Sequence, residues 1–260
     1  PRPDSESNNY AQWVRRGHGS WRRKIVPASS DLRIVLNNLN SCYDAFNRRL
    51  SRAGTHLENS GERESAMKDS AFLVLHFQNG VAHPDGVWGK NLYPQVKKND
   101  SIENTKKALA AARAGGMTVI YVNIAWRIGF PELPENTCGL LKEAKENNEC
   151  LVGSWGAEVI AELQPQAHEA VVINFGSDGF EGTDLDLLLR VKRINNLYVA
   201  GQCIEHVVET TVKRAVNMGY TASVLKDCTS GFTDQNYDAM LEILPLYATL
   251  TTADEFVAAF

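Results

Sequence analysis

From residue 70 onward the chain alternates short apolar runs with stretches of helical spacing, and that alternation leaves few folds open. "AFLVLHF" (71–77) is almost continuously apolar, the pattern of a strand covered on both faces. "MTVIYVNIA" (117–125), "AVVINF" (170–175), "NLYVAG" (196–201) and "TASVLKDC" (221–228) repeat it. Between them, "SIENTKKALAAARAGG" (101–116) predicts a helix capped by Ser101 and ended by glycine. "GTDLDLLLRVKRIN" (182–195) predicts another, with Thr183 or Asp184 near its cap, and the residues after Gly201 predict the next. "TDQNYDAMLEILPLYA" (233–248) and "TTADEFVAAF" (251–260) predict a helix, a short extended piece and a terminal helix. Repeated β–α units of this kind predict an α/β fold: a central parallel sheet with right-handed crossovers, in a three-layer, Rossmann-like α-β-α arrangement.

Such sheets bind ligands outside the carboxyl ends of their strands. Attention therefore falls on His76 and on residues 123–127, 174–178 and 202–207. The segment after the first strand, "HFQNGVAHPDGVWG", is neither G-x-G-x-x-G nor a Walker loop, which argues against dinucleotide and nucleoside triphosphate chemistry and implies no cofactor. A net charge of −4 argues against wholesale nucleic-acid binding. No apolar run approaches the ~18–20 residues that span a bilayer, so no membrane partner is expected. The polar start lacks the apolar core of an export signal, although a chain that begins at Pro1 leaves room for a signal already removed. Five scattered cysteines (42, 138, 150, 203, 228) without a C-x-x-C pair fit reduced thiols and a cytoplasmic setting. The six histidines form no tight ligand pair, and no metal site is expected.

Residues 1–67 read differently, as an N-terminal extension to a domain at 68–260. They are polar and irregular, with a basic excess in "RRGHGSWRRK" (15–24) and one amphipathic helix predicted in "SDLRIVLNNLNSCYDAFNRRLSRAG" (30–54). The basic stretch could touch phosphate or an acidic lipid surface. A solvated arm docking on a neighbouring subunit is the favoured reading, because no phosphate loop or aromatic interleaving accompanies the charge. The apolar stripe of residues 31–50 predicts a homo-oligomer in which this helix crosses a subunit boundary or covers the neighbouring pocket.

Several motifs resemble the isochorismatase-like, or cysteine, hydrolases. They are the first strand followed by Gln78-Asn79 and "HPDGVWG", "WRIGFPE" (126–132), "VVINFGSDGFEGTDLDLLL" (171–189), "VAGQCIEHVVETTVKRAVNMGYTASVLKDCTSG" (199–231) and the ending "TADEF". The resemblance covers roughly 68–260 in order. It implies a general-base Asp after strand one, a polarising Lys after strand three, and a nucleophilic Cys at a helix start, where the dipole stabilises thiolate and oxyanion. Aligned on those motifs, the three positions hold His76, Asn174 and Val207, with Gly201 and Ala215 fixing the register around Val207.

The resemblance also suggests replacements. His76 is a candidate proton-transfer group or a satisfied core imidazole. Glu205 is its candidate partner, raising its basicity, or an exposed helix-start acid; His206 flanks the same site. Asn174 suits a neutral ligand better than an anionic one. Arg127 could bind a carboxylate or brace its loop. Trp126, Phe130, Trp88 and Trp155 could wall the pocket, Gln78 and Asp178 are further binding candidates, and the turn at His83 and Asp85 reads as structural. Cys203, four residues before the nucleophile position, reads as a buried thiol packed beneath the turn or as a displaced nucleophile.

Three functions follow: a small-molecule enzyme repurposed for acid–base chemistry by His76, Glu205 and Asn174; a pseudoenzyme that binds a ligand or scaffolds a catalytic paralogue; and an amidohydrolase using Cys203. In the first, a pH–rate limb near ~6.5, raised by Glu205, is expected.

Overall fold

The structure is a computed structural model that describes residues 9–16, 20–27 and 66–260, the first two segments by their backbone. The chain divides into two units, Pro1–Glu58 and Asn59–Phe260.

In the first unit β1 (Asn9–Arg16) and β2 (Ser20–Pro27) form an antiparallel pair. This corrects the irregular reading of the segment. Its register sets Trp13 opposite Arg23 and Arg15 opposite Trp21, so aromatic residues do interleave with the basic stretch. The helix expected at 30–54 lies outside the described residues.

The second unit holds six parallel strands: β3 (Ser70–Leu75), β4 (Thr118–Ile124), β5 (Ala170–Asn174), β6 (Asn196–Gln202), β7 (Thr221–Ser230) and β8 (Thr249–Thr251). Their order is β5-β4-β3-β6-β7-β8. Central β3 is buried at every residue, as its continuous apolar run predicts. Edge strand β5 leaves Val171 and Ile173 exposed, so an equally apolar run there is covered on one face only.

The helices are α1 (Asn79–Ala82), α2 (Gly89–Lys98), α3 (Ser101–Ala114), α4 (Gly139–Asn147), α5 (Leu185–Val191), α6 (Glu209–Asn217), α7 (Asp234–Ile243) and α8 (Ala253–Ala259). Leu185 and Leu189 of α5, Val212 and Ala215 of α6 and Met240 of α7 pack on one face of the sheet. Ala108, Leu109 and Ala112 of α3 and Phe256 of α8 pack on the other, which gives the three layers. Ser101 is not the cap of α3: Asp100 precedes the helix in a left-handed conformation, and Ser101 turns its hydroxyl inward to Val96 and Gln202. Helix α8 has a full capping box, with Thr252 accepting from the Glu255 N–H and Glu255 from the Thr252 N–H.

The chain enters the sheet at β3, extends to one side through β4 and β5, then returns to lay β6, β7 and β8 on the other side. The carboxyl ends of β3 and β6 therefore flank the point where crossovers diverge, and a crevice opens there. At the end of β6, Gly201 is required by close approach: a Cβ would stand 2.7 Å from Val208 and 2.8 Å from Leu75.

Candidate functional site

The residue after β3, His76, adopts φ 52°, an uncommon left-handed conformation for a side chain of this size. Its ring is buried, and its Nε2 lies 2.9 Å from Oδ1 of Asn174, the last residue of β5. The amide nitrogen of Asn174 donates to the carbonyls of Gly176 (2.8 Å) and Asp178 (3.1 Å) in the following turn. Burial first, then the neighbouring His206, pulls the His76 pKa down to about 3, with only the Asn174 bond opposing. The imidazole is neutral at physiological pH.

The His76 ring lines a pocket whose empty space, counted together with the solvent open to it, is about 340 Å³. His76, Gln202, Cys203 and His206 are its polar lining. Apolar walls come from Val81 of α1, Trp88 and Leu92 at α2, Ile124 of β4, Leu140 and Leu141 of α4, and Phe232 beyond β7. The indole N–H of Trp88 is buried without a partner among the described residues. His206 is also shifted down by burial, against the opposing pull of Glu205 and Glu209. Two neutral imidazoles thus face one largely apolar space.

Behind Cys203 stands Glu205. Its carboxylate accepts from the Cys203 thiol (2.7 Å), the Phe232 backbone N–H (2.8 Å) and the Asn236 amide (3.0 Å). The expected Glu205–His76 pair is therefore not formed; Asn174 takes that place. Burial, followed by the Glu205 charge, drives the Cys203 pKa well above that of an ordinary thiol, so the sulfur stays protonated. Val207 lies fully buried within the π-type turn Ile204–Val208 that precedes α6, and contributes to the core rather than to the pocket lining.

The remaining candidates serve the scaffold. Gln78 is fully buried; its amide donates to the Ile124 and Ala157 carbonyls and its Oε1 accepts from the Ile124 N–H, clasping the end of β4. Arg127 is 69% exposed, pairs with Glu132 and lies over the Phe175 ring, so it braces its loop. Trp126 is buried behind the pocket, bonded to the Phe175 carbonyl and packed on Trp88 and Phe130. Phe130 belongs to the same cluster and does not line the pocket. Asp178 accepts from the Phe180 N–H and holds the turn after β5. Trp155 is 47% exposed and meets the His83 ring edge-on.

Of the pocket walls, Val81, Leu92, Leu140, Leu141 and Phe232 escaped the sequence reading. Their elements α1, α2 and α4 were not anticipated either. The apolar pair Leu140-Leu141 ahead of a charged helical stretch was the available signal. Among the described residues no group of three metal-ligating side chains gathers.

Comparison with known proteins agrees with this geometry. A family model described as isochorismatase domain matches residues 70–255. The chain is 28% identical over 205 residues to a ureidoacrylate amidohydrolase RutB of Variovorax paradoxus, covering 74% of this chain and 81% of that protein. It is 27% identical over 225 residues to the protein of the same name in Acinetobacter baylyi, covering 80% and 92%. Among solved structures, a cysteine hydrolase from Pseudomonas syringae pv. phaseolicola superposes with a TM-score of 0.66 at 22% identity, covering 74% of this chain and 92% of that one. N-carbamoylsarcosine amidase from Thermoplasma acidophilum does so at 0.58 and 24% identity, covering 72% and 97%. With its sheet order, its crevice beside β3 and β6 and a family match over most of its length, the chain belongs to the isochorismatase family of hydrolases.

Proposed function

We propose that this protein binds a small molecule in the pocket between the ends of β3 and β6 and does so without a covalent cysteine intermediate. One observation carries the reading: the residue at the nucleophile position, Val207, is a fully buried core side chain. The nearest alternative sulfur, Cys203, is held protonated against Glu205. The family's charged base and lysine are represented by His76 and Asn174, a neutral hydrogen-bonded pair. The relatives' names speak of amide hydrolysis; this chain keeps their fold and a pocket in the crevice while lacking the groups that would form and hydrolyse a thioester.

Acid–base turnover by His76 is the second reading, and the left-handed backbone at that residue favours it, since strain of this kind concentrates at functional sites. A ring that titrates near 3 is a weak base at neutral pH, so binding leads. Mass spectrometry of small molecules released from the freshly purified protein tests the proposal. A stoichiometric companion lost on filling the pocket with Leu141→Trp supports it. Multiple-turnover hydrolysis of an amide with an acyl adduct on Cys203 would reject it.

A further inference from the structure

We infer that the preferred ligand of this pocket is an uncharged molecule that donates a hydrogen bond to Nδ1 of His76, and that Asn174 sets the preference by fixing the imidazole tautomer. The inference rests on the reading that the pocket binds a small molecule.

The argument starts two residues beyond β5. The carbonyls of Gly176 and Asp178 can only accept, and both face the same end of the Asn174 side chain. That end must therefore be the NH₂ group; the flipped amide would press its oxygen against two other oxygens. Oδ1 is left facing His76, and at 2.9 Å from Nε2 it needs a proton there. A neutral imidazole carries one N–H, so Nδ1 is a bare acceptor. It is the remaining polar atom of a ring that lines the pocket and is only 3% exposed, and it has no hydrogen-bond partner among the described residues. The atom is open to the pocket, where a ligand donor can take it as its acceptor.

The rest of the lining sets charge and shape. Trp88 adds an aromatic wall, its indole N–H being buried away from solvent. Val81, Leu92, Ile124 and Leu140 call for an apolar body. An anion finds no cation here: Arg127 is exposed and paired with Glu132, and the lysine position holds Asn174. A cation finds no free carboxylate, because Glu205 is engaged by Cys203, Phe232 and Asn236. Stripping water from either ion in an apolar pocket is unfavourable without a partner. A neutral alcohol, phenol or amide on a compact hydrocarbon frame fits all of these groups.

Four probes sharing one ring separate the possibilities: benzyl alcohol, benzyl methyl ether, benzoate and benzylamine, titrated into the full chain by calorimetry. The alcohol is expected to bind about threefold to tenfold tighter than the ether, the increment of one net hydrogen bond, with both ions weaker still. His76→Leu should erase the alcohol-over-ether difference while the ether still binds. Long-range ¹H–¹⁵N spectra should show His76 protonated at Nε2 in the native protein, and Asn174→Leu should release that tautomer. Equal binding of alcohol and ether, tightest binding by an ion, or an Nδ1–H tautomer would overturn the inference. If the probes bind and Leu141→Trp blocks them, the pocket reading stands even then. If no probe binds, the inference and that reading both fail.

Discussion

Nε2 of His76 lies 2.9 Å from Oδ1 of Asn174, and this neutral pair stands where relatives of this fold are expected to hold a carboxylate and an ammonium. With both groups neutral, the side of the pocket lined by His76 is uncharged at physiological pH. The neutral ring also makes folding sensitive to acid.

An imidazole held neutral in the fold binds fewer protons than the unfolded chain at any pH between about 3 and the ordinary histidine value. Unfolding takes up a proton there, so stability rises with pH across that window and levels off above it. The lowered His206 acts in the same direction. Urea denaturation between about pH 5 and 7 should show a slope to which His76 contributes up to ~1.4 kcal/mol per pH unit at the lower end, His206 adding in the same direction. His76→Gln should flatten it. A stability curve already flat in the native protein would refute the buried neutral imidazole. Neither binding nor any turnover should have a His76 limb near ~6.5, the reverse of the raised value that a Glu205 partner would have produced.

Thiol reactivity should follow burial. Cys138 is exposed, whereas Cys150, Cys203 and Cys228 are buried. Among these four, iodoacetamide at neutral pH should label Cys138 first and leave Cys203 protected. Burial raises this thiol most and the Glu205 charge adds to it, so Glu205→Gln should accelerate Cys203 alkylation without making it the first site labelled. Peptide mass mapping reads both outcomes, and early Cys203 labelling in the native protein would restore the displaced-nucleophile reading.

Restoring a nucleophile alone should not restore hydrolysis. Val207→Cys nearly preserves volume and should cost no more than about 1.5 kcal/mol. With His76 and Asn174 in place it lacks both base and cation, so no amide turnover is expected. Adding His76→Asp and Asn174→Lys supplies both, but a thiol at 207 stays in the core, so the triple variant should be inactive as well. Turnover by Val207→Cys alone would show that His76 is a competent base after all.

Gln78 predicts a large stability loss at a residue outside the pocket lining. Gln78→Leu leaves the Ile124 N–H and carbonyl and the Ala157 carbonyl without this partner in a buried setting, a loss of roughly 2–5 kcal/mol. Thermal or urea unfolding measures it. A near-native midpoint would mean that the clasp is redundant.

Assembly is a separate proposal, a homo-oligomer supported by the N-terminal unit. Removing residues 1–58 follows the division between the units and leaves every pocket-lining residue in the remaining chain. Sedimentation should show a smaller assembly for the truncated protein. An unchanged assembly state would assign oligomerisation to the α/β unit alone.

The order of the strands along the chain and the three-layer fold were legible because each rests on local periodicity. A strand covered on both faces must be apolar throughout, and a helix on its face must repeat its apolar residues every three or four positions. The short helices α1, α2 and α4 were not legible: α1 spans four residues, and α2 carries Pro94 within it. Tertiary contacts rather than local preference hold α1 and α2, whereas α4 had a local signal in Leu140-Leu141 and the charged stretch after them. The β1–β2 pairing was hidden by its charge, since a basic stretch reads as solvated chain until its register is known.

Sequence alone determined the succession of β–α units, and through the resemblance it proposed Val207, His76 and Asn174 for the family's nucleophile, base and cation positions. It also bounded the site to the carboxyl ends of the strands. Which side chains meet there was decided only by the tertiary structure. Glu205 stands close in sequence to the expected nucleophile, yet its carboxylate finds the Phe232 N–H and the Asn236 amide, and its pairing with His76 never forms. His76 instead meets Asn174, 98 residues away, because β3 and β5 run parallel on either side of β4 and end at the same rim of the sheet. Residue identity carries the chemistry a group can do; whether an imidazole is charged, and which of its nitrogens is free, depends on burial and on a partner that only the folded chain supplies.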